Sequence, residues 1–242
     1  MRRSWTLFRA IVFDLDDTLY PERSYTLSGF DAVSRWVEAT LGVPSADCVR
    51  ELTALYEEGH RRDTFDRWTE SRRLQVDGLV KSMVLEFRGH DPDIRLEGQV
   101  VSLLLRLRRN YRLGLVSDGY LEVQRKKVAA LGLKQYLDAV VLSDALGRNA
   151  WKPSVRPFRR VLDMLSVEGH EAVYVADNPA KDFEGARAVG MATIRFRGKD
   201  GVYGRLEATT PRGAPDREID DLAFVEATLA DISGNRAEAR GR

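Results

Sequence analysis

Cysteine is almost absent from this chain: Cys48 is the only one in 242 residues. That excludes internal disulfides and Cys-rich metal sites, and fits a reducing compartment, with the cytoplasm as the expected location. Histidine is nearly as scarce, and His60, His90 and His170 share no metal-ligand spacing, so all three are expected on the surface or in loops. Charge of one sign is missing too. Lys and Arg number 38 against 37 Asp and Glu, a formal net charge of +1, so neither nucleic acid nor an anionic membrane is an expected partner. No apolar run is long enough to span a bilayer, and Asp14 interrupts the stretch behind Arg2 and Arg3 before it forms a signal-peptide core. No segment repeats at a fixed period.

Hydrophobic residues make up 43% and charged residues 31%, the balance of a globular protein. The length suits one large domain carrying a smaller insert. Short, nearly continuous apolar runs lie at Ala10 to Leu15, Tyr111 to Ser117, Ala139 to Leu142, Ala172 to Ala176 and Ala192 to Phe196. Strands covered on both faces need that character. Between them, Val100, Leu103, Leu104 and Leu107 repeat at helical spacing, as do Phe158, Val161, Leu162 and Leu165. The expected class is therefore α/β, a doubly wound parallel sheet with helices on both faces.

Residues 21–97 break the alternation. Phe30, Val33, Val37 and Leu41 form an amphipathic stripe ended by Gly42 and Pro44, Ser45 is the expected N-cap of the next helix, and further helices are expected over 65–74 and 77–87. Trp36, Trp68 and Tyr56 read as the core of this part. The expected organisation is a core of residues 1–20 and 98–242 with an all-helical insert at 21–97, and a frayed polar tail from Ser233 to Arg242.

Polar residues that carry chemistry gather where strands end. Phe13 is followed by Asp14-Leu15-Asp16-Asp17-Thr18, strand two ends in Ser117-Asp118-Gly119, Lys152 precedes the helix leading to strand four, and strand four ends in Asp177-Asn178. In open parallel sheets that edge binds ligands. Three carboxylates in four positions behind an apolar strand also demand positive charge nearby.

From about Arg9 to Arg197 the chain resembles the haloacid dehalogenase-like hydrolases. Four motifs in order carry the resemblance: DLDDT at Asp14 to Thr18, Ser117, Lys152 in Trp-Lys-Pro-Ser, and DNPAKD from Asp177 to Asp182. It implies a Rossmann-like core with a helical cap, and an Mg²⁺-dependent phosphatase. Two repelling anions meet only if a cation neutralises both, so Asp14 is the expected nucleophile, forming an aspartyl-phosphate. Asp16, placed on the same side by the period of two along a strand, is the expected acid and base, holding a proton when needed while Asp14 stays ionised. By resemblance, the metal takes oxygens from Asp14 and Asp177 and the backbone carbonyl of Asp16, with Asp182 behind them orienting a water or Lys152. Ser117, the N–H groups of Asp118 and Gly119, and Lys152 would bind the phosphoryl group. Thr18 would orient the first loop, Asn178-Pro179 reads as a helix start, and Asp17 has no assigned role. Ala176 stands where the family commonly has glycine, and Asp16 argues against dehalogenation, whose leaving group needs no proton.

The expected function is hydrolysis of a small-molecule phosphate monoester, a sugar phosphate or a nucleotide. A sugar phosphomutase shares every core residue, and a non-catalytic binding protein on the same fold gives no reason to keep both acids. Glu22, Arg23, Tyr25, Arg61, Arg62, Arg72 and Arg73 are candidates for the substrate entrance, a solvated helix face being the commoner role for such arginines. Both a monomer and a homodimer fit the sequence.

Overall fold

The computed structural model describes residues 8–198, 201–204 and 206–240. The chain forms two compact units, Met1–Pro21 with Arg95–Arg242, and Glu22–Ile94. In the first, strands β1 (Ala10–Phe13), β2 (Arg112–Ser117), β3 (Ala139–Leu142), β4 (Ala172–Ala176), β5 (Ala192–Phe196) and β6 (Arg217–Ile219) lie in the order β3-β2-β1-β4-β5-β6. All pairings are parallel, with Ile11 opposite both Leu113 and Val173. The chain works outward from β1 to β3, then returns to the far side of β1 to lay down β4. Strand order thus reverses between β1 and β4, and their carboxyl ends flank a crevice. The sixth strand was not expected: three residues with Arg217 and Glu218 among them make no apolar run.

The second unit is all-helical: α1 (Glu22–Leu41), α2 (Ser45–Glu57), α3 (Thr64–Ser71) and α4 (Leu79–Gly89). The stripe of Phe30, Val33 and Val37 closes on Leu52, Trp68 and Met83, and Phe30 meets Phe65 and Phe87 at centroid distances of 5.9 Å. Gly42 ends α1 with φ +71°, a left-handed conformation glycine adopts without penalty. Ser45 is the first helical residue rather than the cap, which is Pro44. His90 lies in the loop after α4, as expected, but buried, its Nδ1 2.5 Å from the Phe87 carbonyl and its ring against Tyr25. Arg72 and Arg23 face acids of their own unit, Arg72 clasping Glu51 at 2.6 and 2.8 Å and Arg23 meeting Glu57 at 2.7 Å. Cys48 is fully enclosed, and burial pushes its thiol up to about 12. The Trp68 indole is also fully buried and donates to Glu51 at 2.9 Å. Trp68→Ala is expected to cost about 3–5 kcal/mol, read as a fall in the urea midpoint.

The first unit carries α5 (Gly98–Leu107), α6 (Leu121–Ala130), α7 (Arg156–Leu165), α8 (Phe183–Ala188) and α9 (Val225–Arg240). Val12, Val116, Val141 and Tyr174 on one sheet face pack with Phe158, Val161 and Leu165 of α7 and with Phe183 and Ala186 of α8. The alternate residues Ile11, Phe13, Leu113, Leu115, Val173 and Val175 are fully buried as well, so both faces are covered. The tail expected to fray from Ser233 is helical through Arg240, anchored upstream by buried Val225, Leu229 and Ile232, while residues 241–242 lie outside the described residues.

Candidate active site

The Asp14 amide donates to the Val175 carbonyl at 2.9 Å, extending the β1–β4 ladder one residue beyond β1 and setting a buried carboxylate at the crevice. Lys152 reaches the same point. Its Nζ donates to Asp14 Oδ1 at 2.7 Å and to the Tyr174 hydroxyl at 3.1 Å, and lies 2.7 Å from Asp182 Oδ1. Two of its N–H groups are thus hydrogen-bonded, and Asp182 is met as an ion pair. Burial opposes the ammonium, but Asp14 and Asp182 outweigh it and hold the Lys152 pKa well above its ordinary value. Asp182 accepts the Asn178 N–H on its other oxygen at 2.9 Å.

Asp14, Asp177 and Asp182 each offer an oxygen within 4.8 Å of the others. Asp177 Oδ2 is buried without a hydrogen-bond partner among the described residues. Burial, then the charges of Asp14, Asp182 and Asp17, push the Asp177 carboxyl up to about 9, and burial raises Asp14 to about 6 against the pull of Lys152. The ammonium of Lys152, with the charge of Lys181 also felt at Asp14, leaves three enclosed acids short of positive charge. An all-oxygen donor set short of positive charge fits a hard divalent cation. Asp14 and Asp177 suit direct ligation, whereas Asp182 is already engaged by Lys152 and Asn178.

Asp16 is placed differently from its expectation. Residues 14–16 lie beyond the end of β1, so strand alternation does not place it; a bridge to Tyr20 and helix α6 do. Its Oδ1 accepts from the Tyr20 hydroxyl and from Lys127 Nζ, both at 2.6 Å, and Gln124 Nε2 lies 3.4 Å from Oδ2. Burial disfavours the anion, but Lys127 and Tyr20 together outweigh that and hold the carboxyl below its usual range. Of the two, Asp14 is the acid raised and Asp16 the one held low by its partners.

Ser117 is buried, its hydroxyl donating to Gln124 Oε1 at 3.0 Å. The Asp118 carboxylate accepts the Lys152 backbone N–H at 3.1 Å, tying the second motif to the third. Gly119 has φ +135°, and a Cβ there would lie 2.5 Å from the Gln124 amide. Asp17, itself at φ +53°, accepts the Val202 N–H at 3.1 Å, the contact its sequence position did not reveal. Thr18 is buried, and its hydroxyl has no partner among the described residues. Asn178 does not start a helix: it closes a turn by accepting the Ala180 N–H at 3.0 Å, and α8 begins at Phe183.

Sequence reading missed Tyr20, Gln124, Lys127, Tyr174 and Gly185. Gln124 and Lys127 stand three apart on α6, both buried, a spacing visible in the sequence but masked by the adjacent Lys126, which makes the pair look solvated. At Gly185 a Cβ would fall 2.4 Å from the Pro153 carbonyl, so only glycine lets α8 sit against the segment carrying Lys152. Gly185→Ala is expected to cost about 1–3 kcal/mol and to lower activity at saturating substrate by shifting Lys152 from Asp182, a displacement visible in a crystal structure of the variant.

The family model of the haloacid dehalogenase-like hydrolases matches residues 11–196, about three quarters of the chain. This chain is a haloacid dehalogenase-like hydrolase. Among its relatives in that family, a glyceraldehyde 3-phosphate phosphatase of Methanopyrus kandleri is 32% identical, the match covering 88% of this chain and 94% of the relative. An N-acylneuraminate-9-phosphatase of Rattus norvegicus is 30% identical over 80% of this chain and 84% of its own. The crystal structure of a phosphatase of the same family from Thermococcus onnurineus superposes with a TM-score of 0.59 at 26% identity, covering 92% of this chain and 98% of that one. The hydrolase has no described helix long and apolar enough to cross a membrane.

Proposed function

We propose that this hydrolase is an Mg²⁺-dependent phosphomonoesterase that cleaves a small sugar-like phosphate ester through an aspartyl-phosphate on Asp14, in the cytoplasm. The observation that carries the reading is the buried Asp14 carboxylate at the strand-order reversal, ion-paired to Lys152 at 2.7 Å with Asp177 alongside. The relatives named for a triose phosphate and a sugar-acid phosphate support the substrate class.

Asp14, Asp177 and the Asp16 carbonyl would hold the cation, which when bound supplies the positive charge that lets a carboxylate approach a phosphate dianion. Lys152, the Ser117 hydroxyl and the amides of Asp118 and Gly119 hold the phosphoryl oxygens. Asp14 attacks phosphorus; the bond to the leaving oxygen breaks, and that oxygen takes a proton from Asp16. Water then attacks the aspartyl-phosphate, giving its proton to Asp16, and the bond from phosphorus to the Asp14 oxygen breaks to release orthophosphate. The helical unit, residues 22–94, serves as the cap that selects the leaving group.

The test is phosphate release from a panel of sugar phosphates, nucleotides and p-nitrophenyl phosphate, with and without EDTA. Turnover of at least one sugar phosphate, lost in EDTA and restored by Mg²⁺, is expected. Isomerised ester without free phosphate would make the protein a mutase, and binding without turnover would make it a non-catalytic member.

A further inference from the structure

The two oxygens of Asp16 are treated unequally. Oδ1 is gripped by the Lys127 ammonium and the Tyr20 hydroxyl, both at 2.6 Å, whereas among the described residues Oδ2 meets only the Gln124 amide, at 3.4 Å. Lys127 sits on α6, its side chain 2% exposed, and Asp16 is 111 residues away in sequence. Gln124, one turn earlier on the same helix, gives its carbonyl to the Ser117 hydroxyl at 3.0 Å and its amide to Asp16. A buried lysine desolvates at considerable cost, so it is kept where a specific anion meets it. Here that anion is the residue to which the phosphatase reading gives proton transfer.

We infer that Lys127, with Tyr20, is a positioning residue for the acid and base: it pins Asp16 Oδ1 so that Oδ2 alone is presented to the leaving oxygen, and later to the attacking water. Gln124 links this anchor to Ser117, so one face of α6 sets the distance between the proton donor and the phosphoryl site. The inference rests on the phosphatase reading and adds to it the residues that aim the acid. Neither Lys127 nor Tyr20 touches the reacting atoms in this role.

The consequence is selective. Up to aspartyl-phosphate formation, which kcat/KM reports, an alkyl alcohol needs a well-aimed acid, while 2,4-dinitrophenolate leaves without one. Lys127→Met is expected to lower kcat/KM for a sugar phosphate about 100-fold and for 2,4-dinitrophenyl phosphate less than about threefold. Because both esters pass through the same intermediate, kcat should fall for each. Tyr20→Phe should show the same pattern with a smaller loss, and both variants should bind orthovanadate in Mg²⁺ as the parent does. Equal losses of kcat/KM on the two esters, in either variant, would overturn the inference, as would no loss of kcat/KM on the sugar phosphate. If Lys127→Met does not fold, Tyr20→Phe decides alone. A parent that releases phosphate from neither ester overturns the phosphatase reading itself, a result separate from equal losses in an active enzyme.

Discussion

Asp14→Asn is expected to reduce phosphate release by about 10⁴-fold or more while leaving the fold intact. The carboxamide is isosteric, and the Asp14 backbone N–H that joins the Val175 carbonyl at 2.9 Å is untouched. What changes is the nucleophile: an amide oxygen does not form an acyl phosphate. Lys152 keeps Asp182 at 2.7 Å and the Tyr174 hydroxyl at 3.1 Å, so the ammonium is not left alone. Neutralising position 14 also removes one of the charges that, after burial, push Asp177 up to about 9. The thermal midpoint in EDTA should therefore stay at or above that of the parent. A variant that turns over any ester at a tenth of the parent rate would remove Asp14 from the chemistry.

Lys152→Met is expected to damage both function and stability. The side chain is fully enclosed, and its removal leaves Asp14 and Asp182 facing each other without a cation. Breaking a buried pair in this way costs about 3–5 kcal/mol, while losing a charge aimed at the transferring group costs about 10²–10³ in kcat. The double variant Lys152→Met with Asp182→Asn separates the two effects. Neutralising the stranded acid should recover most of the lost stability, measured by urea unfolding, and little of the activity. Recovery of both together would mean that Lys152 serves only to hold the fold.

Much of this was legible in the sequence because the strands are short apolar runs and their polar punctuation falls at one sheet edge. Asp14, Ser117, Lys152 and Asp177 could be picked out on that ground, Asp182 only through the resemblance of its motif to the family's, and parallel topology brings the strand ends together. Residues whose importance arises only from packing were not legible. Tyr174 stands inside the apolar run AVYVA, and nothing local says that its hydroxyl meets Lys152. Lys127 follows Lys126 in a helix of weak amphipathic pattern, and its value depends on an aspartate more than a hundred positions away. Which of the two motif-one acids Lys127 and Tyr20 meet was also out of reach, because packing alone decides it. Gly185 looked like one glycine among 19 until the Pro153 carbonyl appeared against it. The loop position of His90 was legible, but its burial against Tyr25 and Phe87 is a tertiary matter.

The central claim is that Asp14 is phosphorylated during turnover, and chemical trapping tests it most directly. Enzyme turning over a sugar phosphate in Mg²⁺ is quenched into borohydride, which reduces an aspartyl-phosphate to homoserine, and the peptide containing position 14 is read by mass spectrometry. Homoserine at position 14, present only with substrate and Mg²⁺, is the expected result. An active enzyme that yields unmodified Asp14, with inversion of configuration at phosphorus, would contradict the account.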